Sequence, residues 1–381
     1  MGKFFKLKIE NENVSGAINR LLKSLLEKGM VKSILAPKVS ANGTSVLYAL
    51  VSAPSETESI DILAPVMPLN AASLLSDVTR LARPLPEGED AETEPVPIAA
   101  VLRPCEWRAS VELTKLKQIN LNGTIIFTSD CYGALPAKTY TDERRQGVES
   151  KQAYDKVRSG DFDEEMRSAC LVCEHPTVSS SDVIICFMGS DLSGELVLEA
   201  NTEKGEKILG ELGLESVSSF EAHEKTVVEV TEKREEAKKK MFQDVAENVA
   251  GLDNLLSLLA NCVNCHNCMR ACPICYCKEC FFDSATFEAE PGKYLSRAQK
   301  KGALRMPSDT LLFHLGRLNH MSSSCVGCGS CEEACPNGVE LLKVFKTVGN
   351  EVQKVFEYVP GRAFDEELPL ATFREDELEP R

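Results

Sequence analysis

Sixteen cysteines in 381 residues set the chemistry of this sequence. Two runs repeat one spacing, Cys262-x2-Cys265-x2-Cys268-x3-Cys272-Pro273 and Cys325-x2-Cys328-x2-Cys331-x3-Cys335-Pro336. This is the spacing of bacterial 4Fe-4S ferredoxin sites. Three closely spaced thiolates wrap one face of a cube, and the two-residue loops let backbone N–H groups point at sulfur. The fourth cysteine lies beyond the loop and reaches the other cluster. One cluster is therefore expected on Cys262, Cys265, Cys268 and Cys335, the other on Cys325, Cys328, Cys331 and Cys272. The competing reading is a pair of zinc knuckles, which rarely repeat a four-cysteine run with a trailing proline.

The remaining thiols are scattered. Cys105 follows an apolar run over 98–102, and Cys131 follows another over 124–128. Cys170 and Cys173 form a C-x2-C pair ahead of Glu174. If the two runs are neighbouring strands, the loops beyond their C-termini converge on one crevice. Four thiolates there match the ligand count of a third 4Fe-4S cluster; unrelated buried thiols or a redox dithiol at Cys170/Cys173 are the alternatives. Cys275-x-Cys277-x2-Cys280 follows the first run directly. It suits a fourth cluster or a zinc ion, with a last ligand from His266 or a partner chain. Cys186, in an apolar run, reads as a buried thiol.

Positioning these groups requires two kinds of architecture. Upstream of residue 230, short apolar strands (97–102, 124–128, 182–187) alternate with helical segments, the pattern of an α/β layered domain. Val14 to Gly29 reads as an amphipathic helix with Ser15 as N-cap and Gly29 as its stop. Residues 31–35 and 45–51 flank an Asn42-Gly43 turn, a hairpin signal. The Glu- and Pro-rich piece 86–95 reads as a surface loop. A charged helix starts at Thr231 with i,i+4 pairs Glu235–Lys239 and Glu236–Lys240. It leads through an apolar stretch, 249–259, into the cysteine module. Between the two runs, Pro307-Ser308 opens a helix with Leu311, Leu312, Leu315 and Leu318 on one face, and His314 and His320 on it are assigned structural roles. The expected layout is an α/β domain with the scattered thiols over 1–230, a helical linker over 231–258, a mainly α-helical two-cluster ferredoxin-type domain over 259–350, and an acidic tail over 351–381 that lies on a surface or a partner.

Composition narrows the classes. The net charge of −15 argues against a nucleic-acid or anionic-membrane surface. No apolar run reaches the ~18–20 residues of a membrane span. The N-terminus has no apolar signal core, so a cytoplasmic location is expected. No Gly-x-Gly-x-x-Gly follows a strand, which leaves a Rossmann site unsupported.

Four elements in order carry a family resemblance: Arg103-Pro104-Cys105-Glu106, Ser129-Asp130-Cys131-Tyr132-Gly133, Cys170-x2-Cys173-Glu174 and Asn201-Thr202-Glu203-Lys204-Gly205. Over roughly residues 90–215 the chain resembles the beta subunit family of coenzyme F420-dependent hydrogenases and dehydrogenases, which includes formate dehydrogenase beta subunits. Its C-terminal module, with a helical linker between the two motifs, resembles the cluster-binding subunits of heterodisulfide reductases. The family's Thr-Pro-Cys-Gln is here Arg-Pro-Cys-Glu, its Phe-Cys-His-Gly-like element is Asp-Cys-Tyr-Gly, and its Gly-Ser-Lys-Tyr-like element is Met67-Pro68-Leu69-Asn70-Ala71-Ala72. The resemblance implies an α/β flavoprotein holding FAD beside one 4Fe-4S cluster and exchanging hydride with the deazaflavin. Its flavin-contacting positions fall on Arg103, Asp130, Tyr132, Gly133, Asn201, Thr202 and Lys204; a plain hairpin turn is the other reading of 201–205. The implied role is that of an electron-transfer subunit in an anaerobic oxidoreductase. Its expected partners are a molybdenum or tungsten formate dehydrogenase, a hydrogenase or heterodisulfide reductase-like subunits. No side chain is required as a catalytic acid or base, because the cofactors carry the chemistry. The rival from another class is a flavin-free subunit that wires and docks two redox enzymes.

Overall fold

The computed structural model describes residues 2–81, 97–161, 163–287, 290–302 and 309–372. The expected loop at 86–95 and the helix opening at Pro307-Ser308 lie outside them. Eight strands form one sheet: β1 (Lys3–Lys8), β2 (Ser33–Val39), β3 (Val46–Val51), β4 (Ile98–Leu102), β5 (Thr124–Ser129), β6 (Val183–Cys186), β7 (Glu195–Ala200) and β8 (Glu215–Val217). Their order is β3-β2-β4-β5-β6-β7-β1-β8. The centre, β2-β4-β5-β6, is parallel, with every residue of β4, β5 and β6 buried. Strands covered on both faces read as continuous apolar runs. β3, β7, β1 and β8 join antiparallel at the flanks. Sequence reading passed over β1, although Phe5 and Leu7 alternate inward between lysines.

The first helix, Val14–Glu27, is capped by Asn13 and not by Ser15; the Asn13 Oδ1 accepts from the Gly16 N–H at 2.8 Å. Ser15 stands one residue inside the helix, where its hydroxyl cannot reach an N2 or N3 amide from the cap position. Gly29, at φ +68°, ends it as expected. Residues 201–205 form no hairpin turn; Thr202 caps a helix over Glu203–Glu211, its Oγ1 accepting from the Gly205 N–H at 3.0 Å.

The change in composition at residue 230 falls inside one helix, Glu221–Asn248. This helix begins ten residues before the charged stretch, because burial of His223 and Arg234 and not surface charge holds it. On one face of the sheet, Leu35, Ala100, Leu102 and Trp107 belong to the same apolar cluster as Met269, Ile274, Phe313, Leu341 and Phe345 of the cysteine module. The α/β domain and the module therefore share a core.

The helix between the two runs, Asp309–Met321, buries Thr310, Phe313, His314, Arg317, Leu318 and Met321. The expected leucine face is split: Leu318 is buried and Leu311 packs on the core, whereas Leu312 and Leu315 are about half exposed at 51% and 45%. Of the acidic tail, the described part folds back on the chain itself. Tyr358 Oη donates to Glu112 Oε1 at 2.5 Å, the Gly361 N–H donates to the same oxygen at 2.9 Å, and Phe364 packs edge-on against Trp107. No helix among the described residues is long and apolar enough to cross a membrane.

Candidate metal centre: three groups of thiols

The structure gathers twelve of the cysteines into three groups. In the first, Cys262, Cys265, Cys268 and Cys335 are mutual neighbours; Cys262, Cys265 and Cys335 all push the Cys268 thiol upward. In the second, Cys272 has crossed over and lies against Cys325, Cys328 and Cys331. In the third, Cys105 lies near Cys131 and Cys173, and Cys170 near the same two thiols. Cys105 is also close enough to Cys328 to feel its charge, so the third group adjoins the second.

The third group is built by the sheet. Cys105 stands in the first turn of helix Pro104–Lys115, directly after β4, and Cys131 stands two residues after β5. Because β4 and β5 are parallel neighbours, both thiols emerge at the same end of the sheet. Cys170 lies in the short helix Ser168–Leu171. Gly133 is required here: at φ +130°, a Cβ on it would meet Met166 Sδ at 2.5 Å.

The two runs share one backbone. The residues flanking the middle cysteine are left-handed in both, Asn264 and His266 at φ +56° and +61°, Gly327 and Gly329 at +69° and +70°. This conformation turns amides inward, and the Asn264 N–H donates to Cys262 Sγ at 3.4 Å. Gly329 is held to glycine because a Cβ would meet that of Ala169, from the α/β domain, at 2.4 Å. The same position in the first run has room for a histidine, whose ring stacks on Phe313 at 4.2 Å. The second run is thus pressed into the interior, whereas Cys265 and Val263 of the first are exposed.

Burial opposes ionisation of these thiols. It raises Cys105 and Cys331 and pushes Cys268 and Cys325 up to about 11. A buried shell of four thiols suits a multivalent cationic core that compensates the thiolate charge, as an iron–sulfur cube does. Buried arginines add to that compensation. Arg317 donates from Nη1 to Cys268 Sγ at 3.1 Å and from Nη2 to the Cys268 carbonyl at 3.1 Å, with its guanidinium over Phe345. Arg103 donates to Cys131 Sγ at 3.5 Å. Arg234 reaches the carbonyls of Cys131 and Cys173, and Arg167 that of Cys328. Burial draws the Glu174 carboxyl up, but Lys346, His175 and Lys238 hold it down at about 2. Arg317, Arg167 and Arg234 were not singled out from sequence; no spacing rule marks a residue that reaches its partner only through the tertiary fold. His314 touches Cys262 Sγ through Nε2 at 3.4 Å.

The positions assigned to flavin separate. Tyr132 lines a cavity of about 500 Å³ together with Arg158, Met166, Leu171, Arg234 and Lys240, beside Gly133 and Cys170. Asn201, Thr202 and Lys204 lie at the opposite end of the sheet. Thr202 Oγ1 donates to Asp182 Oδ1 at 2.7 Å, and Lys204 binds the Thr124 carbonyl at the start of β5. They tie β5, β6 and the following helix together and do not reach the thiol end. Asp130 is buried, its Oδ2 2.9 Å from His223 Nε2 and accepting from the Met188 N–H at 2.9 Å. Arg103 is likewise committed, donating to the carbonyls of Ala64 and Val66. Glu106, a departure from the family pattern, accepts from Tyr48 Oη at 2.5 Å and from the Arg103 and Ala71 N–H groups. Asn70 caps the next helix by accepting from the Ala72 N–H.

Residues 257–339 match the 4Fe-4S dicluster domain family. Along nearly its whole length the chain is similar to two beta subunits. One belongs to the F420-dependent formate dehydrogenase of Methanocaldococcus jannaschii (25% identity, covering 93% of each chain) and the other to F420-dependent formate dehydrogenase 1 of Methanococcus maripaludis (27%, covering 95% of this chain and 94% of that one). A chain of the F420-reducing [NiFe] hydrogenase complex from Methanosarcina barkeri superposes with a TM-score of 0.45 at 13% identity, over 66% of this chain and 94% of that one, a likeness too loose to bear on function. The resemblance to formate dehydrogenase beta subunits thus extends over about 93% of the protein, which joins a mixed α/β domain to a C-terminal 4Fe-4S dicluster domain and is related to oxidoreductase subunits.

Proposed function

We propose that this protein is the flavin and iron–sulfur electron-transfer subunit of an oxidoreductase complex, working between coenzyme F420 or a similar hydride carrier and a formate dehydrogenase, hydrogenase or heterodisulfide reductase-like subunit. The observation that carries the reading is the contiguity of the thiol groups. Cys105 of the strand-end group adjoins Cys328 of the interior ferredoxin group, and Arg317 bridges that group to the outer one. In this reading each group holds a 4Fe-4S cluster, ligated by the four cysteines named for it.

This reading assigns FAD to the cavity beside Tyr132, which Glu229 and Glu236 line together with the basic residues. Arg158, Arg234 and Lys240 offer cations to a pyrophosphate, Tyr132 offers an aromatic face, and Cys170 lies behind the wall. When bound, flavin exchanges electron pairs with a hydride carrier and single electrons with clusters, which is how such subunits join the two regimes. The protein's own residues supply binding, spacing and charge. Arg234 holds the Cys131 and Cys173 loops together while facing the cavity. Exposure of Cys265 and Val263 makes the first run the exit toward a partner.

The test is anaerobic purification of the full chain with its co-purifying subunits, followed by iron, sulfide and flavin determination. About twelve iron atoms per chain in the three groups and near-stoichiometric FAD are expected. Material without flavin would favour the wiring subunit, a reading helped by the commitment of Arg103 and Asp130 to the fold. Colourless, iron-free protein would end both.

A further inference from the structure

We propose that Cys275, Cys277, Cys280 and His320 form a fourth iron–sulfur site, open to the surface. This rests on the iron–sulfur reading above and extends it to thiols that neither ferredoxin group uses.

The three cysteines line a single cavity of about 490 Å³, and His320, in the last turn of helix Asp309–Met321, lines it with them. Cys277 is exposed, and Cys275 and Cys280 are half-buried. The segment between Pro273 and Cys280 has no regular secondary structure, so three thiols within six residues can converge from a loop, as they do in the two runs. Soft donors surround them: Cys275 Sγ lies 3.5 Å from Met321 Sδ, and Cys280 Sγ 3.5 Å from Met269 Sδ. Softness of this kind selects iron–sulfur or another thiophilic centre over a hard cation.

His266, the ligand suggested by sequence proximity, lines the space around Cys262, Cys265 and Cys268 and not this cavity. Its Nδ1 lies 2.7 Å from Asp283 Oδ1 and its ring is stacked on Phe313. His320 takes its place because the helix between the two runs delivers it to the cavity. Arg270, Lys278 and Arg317 line the same space, against the carboxylates of Glu279 and Asp283, and bring positive charge to the thiolates. Arg317 also neighbours Cys268, Cys272 and Cys331, which sets this site beside both ferredoxin groups. The cavity is large for one zinc ion, whose ligands close to about 2.3 Å from the metal, and it is open enough to admit a cube.

The experiment uses the full-length protein, purified without oxygen, with iron, sulfide and zinc measured per chain and the reduced protein examined by electron paramagnetic resonance. Replacing the trio together (Cys275→Ser, Cys277→Ser, Cys280→Ser) is expected to remove about a quarter of the iron and sulfide, leaving flavin and the other signals in place. His320→Cys, a milder change at an exposed position, is expected to keep the iron while altering one resonance. A trio variant with wild-type iron and sulfide overturns the proposal, as does one that loses zinc instead, or an unaltered spectrum for His320→Cys. Wild-type protein without iron would sink the parent reading, an outcome distinct from a variant that simply matches an iron-rich wild type.

Discussion

The strand-end thiols and the ferredoxin runs reach the same end by opposite routes. In the runs, three thiols of each group come from one seven-residue loop, and left-handed backbone at 264, 266, 327 and 329 does the aiming. In the α/β domain, Cys105, Cys131, Cys170 and Cys173 are spread over 69 residues, and only the parallel pairing of β4 with β5 brings the first two together. A loop-encoded group depends on its own dihedrals. A sheet-encoded group depends on the whole domain, and its charge compensation comes from far along the chain, with Arg234 reaching back from helix Glu221–Asn248. The lesson is that the first kind is portable and the second is not.

That contrast is open to direct attack. The largest effect is expected from Cys105→Ser, which should slow electron transfer from flavin to the ferredoxin module by about 100-fold or more, while the ferredoxin resonances persist; unchanged transfer would dissolve the strand-end group. Next is Cys272→Ala. Because Cys272 lies with the second run, iron should be lost from the Cys325, Cys328 and Cys331 group; loss confined to the Cys262 group would refute the crossing. Arg317→Gln should cost roughly 3 kcal/mol in denaturant unfolding, the order expected when a buried charge loses its partner. It should also shift the potentials of both ferredoxin groups downward in a redox titration, and movement of one alone would separate them. The mildest test compares the runs themselves. Gly329→Ala should destabilise by about 1–3 kcal/mol, since its Cβ meets the α/β domain, whereas His266→Gly should change stability by less than about 1 kcal/mol. Equal effects would show that the interior and outer runs are packed alike.

Legibility in the sequence followed the same division. The runs could be read because their ligands are set by short-range spacing. Cys105 and Cys131 could be read because buried parallel strands are apolar throughout and end abruptly. Sequence order did not show that Asn201, Thr202 and Lys204 stand apart from Tyr132 and Gly133, because β7 returns antiparallel and brings them to the far end of the sheet. Leu312 and Leu315 of helix Asp309–Met321 misled for a related reason, while Leu311 and Leu318 do face the core. Helical periodicity finds an apolar face, but the module buries the face carrying Phe313 and Arg317, which packs on the thiols. Arg317 and Arg234 leave no local trace at all.

The shared core has a consequence for timing. Met269, Phe313 and Phe345 pack in one apolar cluster with Leu102 and Trp107, and the segment after Tyr358 is clasped to helix Pro104–Lys115. Carriers in many redox complexes ride on tethered domains that swing between donor and acceptor. Here the gap from Cys105 to Cys328 is fixed by side-chain packing, so in the proposed reading an electron would cross it without waiting on a hinge.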